Sequence, residues 1–139
     1  MKKTLVPYDG SVFSVHALSW AIEHRSAPED EIHLVYVEQE PQAWQTHGME
    51  AQAVEAQLRL HAKEVLAPGR EILAQQKIPH ISHEMIGDPP RKIVELAIKL
   101  GCTQIVMGTH GHGAFLDLML GSVATRVLHL AQIPVTLIK

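Results

Sequence analysis

Five short apolar runs alternate with helical patterns along this chain, and that alternation restricts the fold more than any other feature. The runs are Thr4-Leu5-Val6-Pro7-Tyr8, Ile32 to Val37, His80 to Ile86, Thr103 to Met107 and Pro134 to Ile138. The second is rich in branched and aromatic residues, as strands are. Between them lie four helical stretches. Ser11 can cap the first, whose inner face carries Ser14, Ala17-Leu18 and Ala21-Ile22. The second spans Met49 to Gln76, with Val54, Leu58, Ala62 and Val65 on one side. Pro68-Gly69 falls inside it, and a proline there removes a hydrogen bond and clashes with the preceding turn. A kink, or two consecutive helices, is expected at that point. Pro89-Pro90 opens the third helix, Ile93, Leu96, Ala97 and Leu100 form its stripe, and Gly101 stops it. The fourth runs from about Gly121 to Ala131.

A β-α-β-α-β-α-β-α-β order implies a parallel sheet with right-handed crossovers and helices on both faces. The expected fold is an α/β, doubly wound, five-stranded domain over residues 1–139, with strand order 3-2-1-4-5. The 139 residues suit one domain with a real core, and 46% hydrophobic with 19% charged residues is an ordinary globular balance. A net charge of −3, with no basic run beyond Lys2-Lys3, speaks against nucleic acid as a main partner. Met1-Lys2-Lys3 looks like the start of a signal peptide, but Pro7 and Asp9 interrupt the apolar stretch. No run of 18 apolar residues provides a membrane span. The single Cys102 reads as a small buried hydrophobe in a reducing compartment, so a cytoplasmic location is expected.

Open sheets of this class bind ligands beyond the carboxyl ends of their strands, at the switch point. Strands one and four flank that point. They end in Tyr8-Asp9-Gly10-Ser11 and in Gly108-Thr109-His110-Gly111. The second loop continues to Gly121-Ser122, a Gly-x2-Gly-x9-Gly-Ser pattern between a strand and a helix start. Free N–H groups at a helix start, with the macrodipole, favour an anion. Glycines let backbone approach a phosphate, and Ser122 can cap the helix or donate its hydroxyl to a phosphate oxygen. The bland alternative is a flexible loop followed by an ordinary cap. No lysine occupies the position it would have in a P-loop, so phosphate charge would need Mg²⁺ or another divalent ion.

These residues carry a resemblance. Leu5-Val6-Pro7-Tyr8-Asp9-Gly10-Ser11, Gly87-Asp88-Pro89, Ile105-Val106-Met107-Gly108-Thr109-His110-Gly111, Leu120-Gly121-Ser122-Val123-Ala124 and Ile133-Pro134-Val135 resemble the universal stress protein family, in its ATP-binding branch, over essentially the whole chain. The resemblance implies a nucleotide site formed by Pro7, Asp9, Val37, Met107, Gly108, Gly111, His112, Gly121, Ser122 and Val123. Asp9 would bond the ribose or the adenine side, and Val37 would read the base edge with its backbone. Gly108 and Gly111 would lie against ribose and phosphates. Gly121, Ser122 and Val123 would hold the outer phosphates. It also implies ATP with Mg²⁺ held through the phosphates, and a homodimer through Val135, Thr136, Leu137 and Ile138. An exposed apolar edge strand would favour such pairing. The Pro68-Gly69 break departs from the family, and the Pro41 to Gly48 loop is variable.

Several residues have more than one reading. Asp9 is either a turn residue beside Gly10 or a ribose acceptor. His110 and His112 could chelate a metal, meet phosphate or sit in solvent, and no metal site is assigned because no third ligand is near in sequence. Arg126 either helps neutralise phosphate or lies on a solvated face. Trp44 either stacks on a base or covers an apolar patch. Asp88 and Asp117 are loop carboxylates that could meet a metal or act as caps. No catalytic base or arginine finger is evident, so no catalytic residue is assigned. The leading expectation is an ATP-binding stress-response protein that signals through conformation or partners. The alternatives are a dimeric scaffold with an empty or different pocket, and a slow ATPase or phosphotransferase. Gly121→Val is expected to abolish nucleotide binding by filling the phosphate's approach and resisting a positive φ.

Overall fold

The computed structural model describes residues 1–113 and 119–139. Five strands are β1 (Lys3–Pro7), β2 (Glu31–Glu38), β3 (His80–Ile86), β4 (Gln104–Gly108) and β5 (Val135–Ile138). The helices are α1 (Val12–Glu23), α2 (Ala51–Gln75), α3 (Pro89–Leu100) and α4 (Ser122–Leu130), and a short 3-10 turn spans Ala43–Gln45. The strands form one parallel sheet in the order β3-β2-β1-β4-β5, as expected for a doubly wound fold.

Each face of the sheet is covered, which explains why β2 is apolar almost throughout. On one face Leu5, Val35, Val37, Ile105 and Met107 pack with Ile93, Leu96 and Ala97 of α3 and Ala124 and Val127 of α4. On the other Val6, Ile32, Leu34 and Val106 pack with Ala17 and Leu18 of α1 and Leu66 and Leu73 of α2. Cys102 is buried as expected, and burial pushes its thiol up to about 11.

Helix boundaries follow local chemistry. Ser11 caps α1, its hydroxyl accepting from the Ser14 N–H at 3.3 Å. Pro89 and Pro90 occupy the first turn of α3, and Gly101 closes that helix in the left-handed conformation, φ 71°. The interruption expected at Pro68-Gly69 does not divide α2, which is one helix of 25 residues through Pro68. The proline ring is exposed. Its neighbour Gly69 is buried against the sheet, where a Cβ would lie 3.0 Å from Leu34 Cδ1 and 3.4 Å from the Tyr8 ring. The pair therefore marks a close helix–sheet approach inside α2. Among the described residues β5 pairs only with β4 and lies at an edge. No helix among the described residues is long and apolar enough to cross a membrane.

Candidate functional site

The carboxyl ends of β1 and β4 lie side by side, and the two loops that leave them are tied together by Asp9. Its Oδ1 accepts the Ser11 N–H at 2.9 Å, within its own turn. Its Oδ2 accepts the His112 N–H at 3.2 Å, across 103 residues of chain. Burial pushes this carboxyl up, but the bonds from Ser11, His112 and Ser14 outweigh that effect and hold it below the usual carboxylate range. It is therefore charged at neutral pH. The N–H groups of Ser11 and His112 each meet one oxygen, and the Ser11 and Ser14 hydroxyls also bond the carboxylate. Asp9 thus shapes the turn, and a ribose hydroxyl would have to replace a serine hydroxyl to reach it.

The glycines of the loop have structural work of their own. At Gly108 a Cβ would lie 2.6 Å from Phe13 Cβ and 2.9 Å from the Phe13 carbonyl carbon. Glycine there lets α1 lie against β4. At Gly111 a Cβ would lie 2.6 Å from Asp9 Oδ2, so this glycine makes room for the carboxylate. At Gly121 a Cβ would meet His110 Cα and Thr109 O, each at 3.2 Å. The N–H of Gly121 donates to Thr109 O at 2.7 Å. That donor, expected to face a phosphate, is committed to the loop. Gly121 has φ −69° and ψ 162°, extended backbone open to any residue, so the expected resistance to a positive φ does not apply. A valine there would instead press on the backbone of residues 109 and 110.

Gly121, not Ser122, is the N-cap of α4; Ser122 is its first helical residue and is exposed. The Gly121 carbonyl accepts the Thr125 N–H at 3.0 Å, the first bond of the helix. The N–H groups of Ser122, Val123 and Ala124 precede it and have no intrahelical acceptor. Among the described residues no side chain caps this terminus, and no acidic residue occupies its first turn. N–H groups at the positive end of a helix suit an anion with several oxygens.

A third wall comes from β2. The Tyr8 N–H donates to Val35 O at 2.8 Å, and the β1–β2 pairing ends at Pro7 opposite Val35. Backbone groups two residues apart on a strand point to the same side. The N–H and C=O of Val37 therefore face past the end of β1, into the crevice, while Glu38 turns the other way and accepts the Gly87 N–H at 2.9 Å. The side chain of Val37 shares one apolar cluster with Met107, and Val123 packs against it. The expected residues thus converge: Pro7 and Val37 at the strand ends, Asp9 against Gly111 and His112, Gly121 against Thr109 and His110, and Ser122 and Val123 opening α4.

Other expectations resolve differently. Arg126 forms a two-pronged ion pair with Asp88, Nη1 to Oδ1 at 2.9 Å and Nη2 to Oδ2 at 3.0 Å. The Arg126 guanidinium holds the Asp88 carboxyl below its ordinary range. Trp44 is 76% exposed, so it covers no apolar patch within this chain. The His112 ring approaches Gly10, whose Cβ would lie 3.7 Å from its Nε2. His110 Nδ1 lies 2.9 Å from Thr109 Oγ1, and its ring is 5.3 Å from that of Phe13. Asp117 lies outside the described residues. Among the described residues no cluster of three or more His, Cys, Asp or Glu could hold a metal ion. Sequence reasoning missed Thr109, which is buried and donates its N–H to Ile138 O at 2.8 Å while its carbonyl holds Gly121. It also missed Phe13, the reason for Gly108. Neither has a motif signature, because both act through tertiary contact. Cavities elsewhere among the described residues include one of about 280 Å³ near Lys2, Arg25 and Asp30 and one of about 560 Å³ between Pro41, Met49, Val54, Leu58 and Ile86.

Comparison with known proteins agrees with this architecture. The model of the Universal stress protein family matches residues 1–139. Universal stress protein MJ0531 of Methanocaldococcus jannaschii is 30% identical over 139 residues, covering 99% of this chain and 82% of that protein. The solved structure of hypothetical protein MJ0577 superposes with a TM-score of 0.88 at 26% identity, covering 99% of this chain and 95% of the other. Two solved proteins of the same fold hold an adenine nucleotide. One is a universal stress protein from Archaeoglobus fulgidus in complex with dAMP, with TM-score 0.66, 24% identity and coverage of 100% and 98%. The other is an Arabidopsis thaliana family protein with AMP bound, with TM-score 0.72, 16% identity and coverage of 100% and 92%. By its sequence over its full length and by its fold, the chain belongs to the universal stress protein family.

Proposed function

We propose that this chain binds an adenine nucleotide, ATP with Mg²⁺, in the crevice between the ends of β1, β2 and β4 and the start of α4. The observation that carries the reading is one arrangement: an ionised Asp9 tied to the glycine loop at His112, with the uncapped α4 terminus resting on the same loop through Gly121. A nucleotide needs acceptors for its ribose hydroxyls and donors for its phosphates, and the crevice offers both. Asp9 takes the ribose, the backbone of Val37 faces the base, and Met107 and Val123 supply apolar walls. Ser122 and Val123 donate N–H groups to the phosphates, with the Ser122 hydroxyl beside them. Pro7, Gly108, Gly111, Gly121 and His112 shape the lining. Mg²⁺ would be held through the phosphates, consistent with the donor set of the crevice.

Residues 1–139 act as one nucleotide-binding unit, a cytoplasmic stress-response protein that signals through conformation and partners. It pairs with a second copy along Val135, Thr136, Leu137 and Ile138, where β5 has a strand on one side only. Rapid hydrolysis is not part of the proposal, which concerns binding alone.

Calorimetric titration of Mg-ATP into nucleotide-stripped protein tests the reading, with Gly121→Val as control. Saturable binding that the variant loses supports it. Absence of binding to the wild type would make the chain a scaffold or the receptor of another ligand.

A further inference from the structure

The Asp88–Arg126 pair joins the starts of two helices. Asp88 is the N-cap of α3, and Arg126 lies one turn into α4, four residues after Ser122. Residues four apart share a helix face, and side chains lean toward the N-terminus. Arg126 therefore shares a face with Ser122, with its side chain leaning back toward the start of α4. Its carboxylate partner puts a negative charge on the rim of a site suited to anions. Both side chains are about half exposed, at 49% and 43%. Solvent screening lowers the worth of such an exposed pair, although its two-pronged geometry makes it stronger than a single contact.

Asp88 would not be stranded by losing Arg126. The charge of Arg91 and a bond from its backbone also lower the Asp88 carboxyl. The Lys92 chain folds over Gly87, where a Cβ would lie 2.8 Å from Lys92 Cε. Two cations, Arg126 and Arg91, thus act on the Asp88 carboxylate. A guanidinium grips a phosphate in the same two-pronged manner as a carboxylate, so a phosphate reaching the rim competes for Arg126 on equal geometric terms.

We infer that the Asp88–Arg126 pair selects nucleotides by phosphate number: an outer phosphate takes Arg126 from Asp88, whereas a monophosphate is too short to open the pair. This rests on the nucleotide reading above. It makes Arg126 a specificity-determining residue that is closed in the free protein.

The test is a double-mutant cycle on the full, nucleotide-stripped chain. Wild type, Arg126→Gln, Asp88→Asn and the double variant are titrated with AMP and with Mg-ATP, and thermal melts confirm that all four fold. AMP affinity stays within about twofold across the set. ATP affinity falls about fivefold in Arg126→Gln and rises about two- to fivefold in Asp88→Asn, and that rise vanishes in the double variant. Equal changes for AMP and ATP would overturn the inference. So would a gain from Asp88→Asn that persists without Arg126, since charge alone would then account for it. Either result leaves the nucleotide reading intact. A wild type that binds neither nucleotide would remove both.

Discussion

Gly111→Ala isolates the link between the glycine loop and Asp9. Gly111 is not among the glycines with positive φ, so alanine fits the backbone and only its Cβ matters. That Cβ would lie 2.6 Å from Asp9 Oδ2, well inside contact distance, and the carboxylate has to rotate away. The bond it gives up is the 3.2 Å contact from the His112 N–H. Hydrogen bonds to charged groups contribute about 1.5–3 kcal/mol, and a long one falls at or below the bottom of that range, about 1–1.5 kcal/mol. Alanine restores about 0.4–1 kcal/mol by narrowing the unfolded ensemble. The net loss is about 0–1 kcal/mol, a fall in Tm of at most about 4 °C for a chain of this size. The effect on nucleotide is larger, because a displaced Asp9 no longer meets the ribose, and Mg-ATP affinity falls about tenfold. The assay is a pair of measurements, urea unfolding and nucleotide titration, on wild type, Gly111→Ala, Asp9→Ala and the double variant. With Asp9 truncated the Cβ has room, so adding Gly111→Ala to Asp9→Ala leaves affinity unchanged and stability equal or slightly higher. If the two substitutions instead add, Gly111 acts directly on the ligand and the steric reasoning fails.

Gly121→Val keeps an allowed φ but presses a branched side chain onto Thr109 O and His110 Cα, each 3.2 Å from its Cβ position. Stability falls about 1–2 kcal/mol and ATP affinity more than tenfold; an affinity within twofold of wild type in the titration refutes the placement of the phosphates. His83 has its imidazole held below the ordinary 6.5 by burial, then by His33 and Lys99. A depressed value means stability present above about pH 6.5 and lost as pH falls through the folded value. His83→Gln removes that loss, so its Tm changes less than the wild type's between pH 7.5 and 5.5, and parallel curves would sink the assignment. Pro68→Ala restores the missing donor to an exposed turn of α2 and raises stability about 1–2 kcal/mol in a circular-dichroism melt. A lower Tm would mean that the proline's constraint on the unfolded chain outweighs the helix bond.

The order of strands and helices, the Ser11 cap, the double proline opening α3 and the Gly101 stop were all legible locally, because each depends on neighbours within a few residues. So was the convergence of the loops after β1 and β4, since a doubly wound topology places those ends together whatever their residues. The misreadings have the opposite character. Pro68-Gly69 looks like a helix break when only propensity is weighed, yet Gly69 is needed to let α2 approach Leu34 and Tyr8. Arg126 is exposed, as its solvated reading expects, but only the fold reveals its partner Asp88, which α3 brings to it across 38 residues.

The glycine loop divides the two kinds of information most clearly. Its pattern, between an apolar run and a helix, carries the expectation of an anion site, because backbone donors and the helix dipole depend on position and not on partners. What each glycine does was decided by packing: Gly108 admits Phe13, Gly111 admits the Asp9 carboxylate, and Gly121 gives its N–H to Thr109. Local sequence determines which conformations a segment can adopt and where its free polar groups lie. The neighbours that fill the space around it come from residues up to 103 positions away, and only the folded chain selects them.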